Sequence, residues 1–290
     1  MKKLGFIGGG NMAEALARGL LDKQVFTSDD LLIADVDRGR RRKLTRTLKV
    51  ETTADNQAVR DNSRAILLAV KPQQISEVMA ELAADAEPAS ASSAQGGRKS
   101  SRKSSNNSGS DRLYISIAAG VTLARLTTSL KAERVIRVMP NAPAMVGQGM
   151  AGLVRAKGAT KADEAFALKL FRAVGDAVAL ADERLLDAVT ALSGSGPAYF
   201  YLFIKALADA AVSEGLPAEM ALRMALQTMR GAEENMRRSP LDAGELIRVV
   251  ASPGGTTEAA LRKFAETGFS DIVAKAIHAA AERSRELGQS

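Results

Sequence analysis

The chain has 290 residues, 46% hydrophobic and 25% charged, enough to bury one large or two medium cores. Cysteine is absent and His278 is the only histidine, which excludes disulfides, thiolate chemistry and a structural zinc site, so no metal is expected. The net charge of +7 is largely local: Arg98, Lys99, Arg102, Lys103 and Arg112 oppose Asp111 alone between 88 and 112, so no nucleic-acid partner is expected.

MKKLGFIGGGN begins with two lysines before an apolar run, but the run ends at Ile7, too short for a signal peptide. No later stretch approaches a membrane span, so a cytoplasmic protein without a membrane partner is the expectation. Apolar runs at 3–8, 31–35, 65–70, 113–118 and 134–139 read as parallel strands covered on both faces. Helical patterns at 11–22, 38–48, 73–84 and 122–130 separate them. This alternation predicts an α/β fold, a Rossmann-like doubly wound parallel sheet. Runs at 149–155 and 177–181, around a helix at 161–173, extend the sheet and close a dinucleotide-binding domain over 1–182. Within it, 88–111 is rich in Ser, Gly and basic residues and reads as a disordered insertion at the N-terminal edge of the sheet, away from the ligand edge.

Helices at 184–192, 197–214, 217–235, 241–250, 256–267 and 270–287 then form an all-helical domain over 183–290. Pro197 and Pro217 suit first helical turns, and Gly215 and Gly268 suit C-terminal caps. The 197–214 helix is apolar almost all round. It reads as buried, and a subunit interface is the natural use of such a surface.

The chemistry-bearing motifs follow the strands. Gly8-x-Gly10-x-x-Ala13 stands between the first strand and helix, where glycines admit a pyrophosphate to the backbone and the helix N-terminus opposes its charge. A tight turn is the plainer reading, but the order strand, glycines, helix favours a dinucleotide. Asp35 ends the second strand, in place for the ribose hydroxyls of NAD. Arg38, Arg40, Arg41, Arg42 and Lys43 follow at once and suit the extra phosphate of NADP, or form a solvated helix face. NADPH is the favoured coenzyme, with NADH possible. The loops AVKP (69–72), AAG (118–120) and MPNAP (139–143) leave carboxyl ends of strands, with Lys71 and Asn141 as their polar candidates.

Tyr201 and Lys205 match the Tyr-x-x-x-Lys pair of short-chain dehydrogenases, but in the wrong domain and with a different glycine spacing. Without a usable His or Cys the chain is poorly equipped to reduce a ketone, whose alkoxide needs a proton. An imine can be protonated before hydride arrives, so a hydroxyl and good positioning suffice. The loop SPGGTT (252–257) ahead of a helix offers free N–H groups for a carboxylate. Thr257 either caps that helix or presents its hydroxyl to a ring nitrogen.

FIGGGNMA, AVKP, AAGVTL, RVMPNAP, ALSGSGPAYF and SPGGTTEAAL, in this order along essentially the whole chain, resemble the pyrroline-5-carboxylate reductases. The resemblance implies a Rossmann domain, a helical dimerisation domain and a homodimer or higher assembly of interlocked dimers. It implies reduction of a small cyclic imine carboxylate, 1-pyrroline-5-carboxylate, to L-proline by NAD(P)H, the last step of proline synthesis. A related imine or β-hydroxy-acid oxidoreductase with Lys205 as its catalytic group is the alternative. Carried over by motif, Ile7, Gly8, Gly9, Gly10, Asn11 and Met12 cradle the pyrophosphate, with Val36 and Asn56 near the adenosine half. Ala69, Val70, Lys71, Pro72, Ile117, Ala118 and Ala119 line the rest of the coenzyme. Gly255, Thr256 and Thr257 bind substrate together with Asn141, and Thr257 is the catalytic hydrogen-bond partner of the imine nitrogen. The resemblance also implies a substrate site completed across the dimer. Val249 stands where some relatives place an asparagine, and the insertion departs from the typical member.

Overall fold

The computed structural model describes residues 1–84 and 112–289, and the expected insertion at 88–111 lies outside them. Two compact units are present, Met1–Gly194 with Glu282–Ser290, and Ser195–Ala281.

The first unit is built on β1 (Lys2–Ile7), β2 (Leu31–Ala34), β3 (Glu51–Thr53), β4 (Ser63–Leu68), β5 (Leu113–Ser116), β6 (Val135–Pro140), β7 (Gly149–Arg155) and β8 (Gly175–Ala179). They form one sheet in the order β3-β2-β1-β4-β5-β6-β7-β8. Every pairing is parallel except β6 with β7. Its helices are α1 (Asn11–Asp22), α2 (Arg38–Leu48), α3 (Asn56–Asn62), α4 (Pro72–Ala84), α5 (Leu123–Leu130), α6 (Lys161–Arg172) and α7 (Leu185–Val189).

The apolar runs are continuous because alternate residues feed two cores. Leu4, Phe6, Ile33, Leu67 and Ile115 join Leu16, Leu20 and Phe171 on one face. Ile7, Leu32, Ile66, Leu68 and Tyr114 join Val59, Ile75, Met79 and Leu126 on the other. Burying each such large side chain contributes about 1.5–3 kcal/mol. Gly5 lets α3 lie directly on β1, since a Cβ there would come within 2.4 Å of Val59 Cγ1. β3 and α3 were not expected: Glu51-Thr52-Thr53 is a polar edge strand, and α3 buries only Val59 and Arg60. The expected helix at 184–192 divides into α7 and a π-turn, Thr190–Gly194.

α6 begins with a capping box between Thr160 and Asp163. Asp163 also accepts two bonds from Arg134, at 3.2 Å to Nε and 2.6 Å to Nη2, which ties α6 to the start of β6. Burial pushes its carboxyl up, but the Arg134 and Thr160 donors pull harder, and it lies below the usual carboxylate range.

The second unit comprises α8 (Gly196–Ser213), α9 (Ala218–Arg238), α10 (Ala243–Val250), α11 (Thr256–Glu266) and α12 (Phe269–Gln289) as far as Ala281. Pro197 occupies the first turn of α8, whereas Pro217 is the N-cap of α9 and not inside it. Gly215 and Gly268 hold φ of +98° and +70° after their helices, as C-terminal caps do. Phe203, Phe264 and Phe269 cluster with ring centroids 5.2–6.5 Å apart. α8 is not buried within the chain. Phe200, Tyr201 and Leu202 are 60–69% exposed, more apolar surface than a lone monomer usually presents. Among the described residues no helix is long and apolar enough to cross a membrane.

Asp163→Asn should destabilise the first unit by about 1–3 kcal/mol, through the weakened cap and ion pair. Because its folded pKa is depressed, the contribution is present above the unfolded value near 4 and fades as pH falls through the folded one. Thermal unfolding of both proteins at pH 7 and pH 3 checks this, with the difference expected to shrink at the lower pH.

Candidate active site

β1 ends at Ile7 and the chain turns at once. Gly8 N–H bonds the Ala34 carbonyl at 2.9 Å, and Ala69 N–H bonds the Ile7 carbonyl at 2.8 Å, so the turn is set between the ends of β2 and β4. Gly8 sits at φ +94°, and a Cβ there would lie 2.8 Å from the Ala69 carbonyl, so only glycine fits. Gly9 lies against α2, where a Cβ would meet Leu44 Cδ1 at 2.8 Å. Gly10 is different: it is the N-cap of α1, makes no side-chain cap, and has nothing within 4 Å of a built Cβ. Space therefore opens beside the start of α1, whose first-turn N–H groups have no acceptor within the helix, and this cradle fits a pyrophosphate.

Asp35 follows β2 directly. Its carboxylate accepts Gly9 N–H and Asp37 N–H, each at 2.8 Å, so it braces the glycine loop. The basic run divides by role. Arg40 donates to the Gly9 carbonyl through Nε and forms an ion pair with Glu14 through Nη2 at 2.7 Å, and Lys43 reaches Glu14 at 2.9 Å. Burial alone would raise the Glu14 carboxyl, but Lys43 and Arg40 hold it below its ordinary value. Arg41 bonds the carbonyls of Asp35 at 2.7 Å and Val36 at 3.0 Å. Arg38 and Arg42 stay exposed, as does Val36 at 80%. Asn56 opens α3 with its amide on Glu81 at 2.8 Å.

On the other side of the β1–β4 switch, Ala69 and Val70 are half-buried while Lys71 and Pro72 are exposed at the start of α4. Ile117 N–H continues from β5 onto the Leu68 carbonyl at 3.1 Å, Ala118 is buried and Ala119 exposed. Gly120 turns at φ +75° against the last turn of α12, where its Cβ would lie 3.0 Å from the Leu287 carbonyl oxygen. Glu183 accepts Leu123 N–H and Arg137 Nη1, both at 2.7 Å, and so anchors the start of α5. Asn141 leaves β6 with its amide engaged inside the protein: Nδ2 faces the Ser193 carbonyl at 3.2 Å and Oγ at 3.3 Å, and Oδ1 accepts Met150 N–H at 2.8 Å. Ser193 escaped sequence reasoning, although the SGSGP run was its signal. The expected coenzyme residues of the first unit therefore gather along one carboxyl edge of the sheet, where ligands of open α/β sheets bind.

In the second unit, Gly254 turns at φ +70° and Gly255 N–H closes onto the Ser252 carbonyl at 3.0 Å. Gly255 is the N-cap of α11 and makes no side-chain cap, so Thr257 does not cap this helix. Thr256 and Thr257 occupy its first turn, Thr256 exposed and Thr257 half-buried, with N–H groups for which the helix supplies no acceptor. Glu258 reaches back to Gly254 N–H at 2.6 Å. Lys205 pairs along exposed α8 with Asp209 at 2.5 Å, and Val249 is exposed at the end of α10.

Residues 183–287 match the family model described as pyrroline-5-carboxylate reductase dimerisation, and residues 3–91 match NADP oxidoreductase, coenzyme F420-dependent. The pyrroline-5-carboxylate reductase of Synechocystis is 38% identical over 99% of this chain and 98% of its own, and that of Arabidopsis thaliana is 38% identical over 99% and 96%. The chain belongs to the pyrroline-5-carboxylate reductase family. The solved reductase of Coxiella burnetii covers 100% of this chain and 99% of its own with a TM-score of 0.87 at 31% identity. The Plasmodium falciparum reductase, solved with NADP bound, gives 0.81 at 28% identity over 99% of this chain and 98% of its own. The dimerisation match and the bare apolar face of α8 make this member of the family a homo-oligomer.

Two alanine substitutions separate the two uses of the glycines. Gly8→Ala strains a left-handed residue by about 1–2 kcal/mol and should lower the melting temperature along with NADPH affinity. Gly10→Ala enters open space and costs only the poorer N-cap, so it should lower the melting temperature less than Gly8→Ala while still weakening NADPH. Calorimetry and fluorescence titration check this, and undisturbed NADPH binding by Gly10→Ala would contradict the cradle.

Proposed function

We propose that the protein reduces 1-pyrroline-5-carboxylate to L-proline, with NADPH as the preferred hydride donor and NADH accepted. The observation that carries this reading is the pairing, in one family member, of an open glycine cradle with a capless SPGGTT helix start. Ile7 to Met12 hold the pyrophosphate, Val36 and Asn56 border the adenosine half, and 69–72 with 117–119 line the remainder. Exposed Arg38, with Asp35 already engaged by the glycine loop, favours a 2′-phosphate over a free ribose diol.

The reduced nicotinamide, once bound, supplies hydride to C5 of the cyclic imine. The chain's own residues bind and orient. First-turn N–H groups of Thr256 and Thr257 donate to the substrate carboxylate, as helix N-termini do to anions. The Thr257 hydroxyl hydrogen-bonds the ring nitrogen and fixes the face presented to hydride. No side-chain acid is required, because the imine takes its proton from water beforehand. Dimers assembled through α8 complete the substrate site and build into larger assemblies in the cytoplasm.

Purified protein should oxidise NADPH, and more slowly NADH, only when pyrroline-5-carboxylate is present. Thr257→Ala should lose about 1.5–3 kcal/mol of transition-state stabilisation, or about 10- to 150-fold in kcat/KM, with NADPH affinity intact. Thr257→Ser should restore most of it. Unchanged turnover in Thr257→Ala would remove Thr257 from the mechanism.

A further inference from the structure

Asn141 stands at the N-cap position of the short 3-10 turn 142–146, yet its side chain makes no capping bond. Its amide instead grips Ser193 through Nδ2, at 3.2 Å to the carbonyl and 3.3 Å to Oγ, while Oδ1 accepts Met150 N–H. Ser193 belongs to the π-turn Thr190–Gly194, a geometry that proteins use in short pieces and frequently at functional sites. Thr190 Oγ1 supports the turn from the Leu186 carbonyl at 2.7 Å. Met139 packs against Gly194 so closely that a Cβ there would lie 2.7 Å from its Cε. Residues 139 and 141, both at the carboxyl end of β6, thus hold this turn from two sides.

Its location gives the turn a purpose. β6 lies on the β4-β5-β6 side of the switch point, opposite the β2 and β3 ends that flank the adenosine half. The nicotinamide half of a dinucleotide falls on that side. Because Asn141 donates to Ser193 Oγ, the Ser193 proton has to go elsewhere, and among the described residues it meets no acceptor. Ser193 is half-buried, so the hydroxyl is neither hidden nor fully hydrated.

We propose that Ser193 binds the nicotinamide half of the coenzyme, donating its hydroxyl proton to the carboxamide oxygen, and that Asn141 is the positioning residue that aims it. This rests on the NAD(P)H reading. It also replaces direct substrate contact by Asn141 with a role exerted through Ser193.

Fluorescence titration with NADPH, and with 2′,5′-ADP as a probe of the adenosine half alone, tests the proposal. Ser193→Ala should weaken NADPH about fivefold, the effect of one net hydrogen bond near 1 kcal/mol, and leave 2′,5′-ADP unchanged. Ser193→Thr should restore NADPH affinity. Asn141→Asp keeps the acceptor for Met150 N–H but turns the Ser193 proton inward, so it should reproduce the Ser193→Ala loss. The double variant should bind no worse than Ser193→Ala. Equal loss of both ligands, no loss of NADPH, or additive losses in the double variant would overturn the proposal. A wild-type protein that binds neither nucleotide would sink the coenzyme reading itself.

Discussion

The turn at Gly8 governs the coenzyme edge, because three strands meet there and only one kind of residue can make it. Its φ of +94° and the Ala69 carbonyl, 2.8 Å from where a Cβ would stand, leave no alternative to glycine. Backbone bonds to Ala34 and from Ala69 then lock the end of β1 to β2 and β4. Asp35 holds the next N–H and Arg40 holds the next carbonyl, so both faces of Gly9 are fixed by the β2–α2 crossover. Gly10 is released into open space with the start of α1 behind it. The proposed pyrophosphate site depends on that final step.

The charged side chains around this edge mostly build it. Glu14 gathers Arg40 and Lys43, Asp35 braces the glycine loop, and Glu183 joins Leu123 N–H to Arg137. None of these carboxylates stands free as a proton donor. The chain has one histidine and no cysteine, and the proposed mechanism relies on hydroxyls and backbone N–H groups. That inventory suits an imine that takes a proton from water before reduction, where orientation contributes most of the protein's effect.

Much of the fold was legible because parallel strands covered on both faces cannot avoid continuous apolar runs. β1, β2, β4, β5 and β6 declared themselves in this way. β3 did not, since an edge strand of Glu-Thr-Thr has no second face to bury, and α3 commits one apolar side chain to the core. The near-uniform apolarity of α8 points both to burial and to a subunit interface; the chain leaves that helix exposed, and the dimerisation match agrees with the interface. At the coenzyme edge the glycines were legible because their spacing encodes backbone geometry. The division of labour among Arg38, Arg40 and Arg41 was not, because it depends on which carbonyls fold back within reach. Ser193 was hidden for the same reason: its partner lies 52 positions away.

The most direct measurement is of where the hydride goes. NADPH deuterated at the transferable position of nicotinamide C4, incubated with pyrroline-5-carboxylate and the protein, should yield proline carrying deuterium at C5. Proline without the label, or coenzyme consumed with no proline formed, would contradict the account.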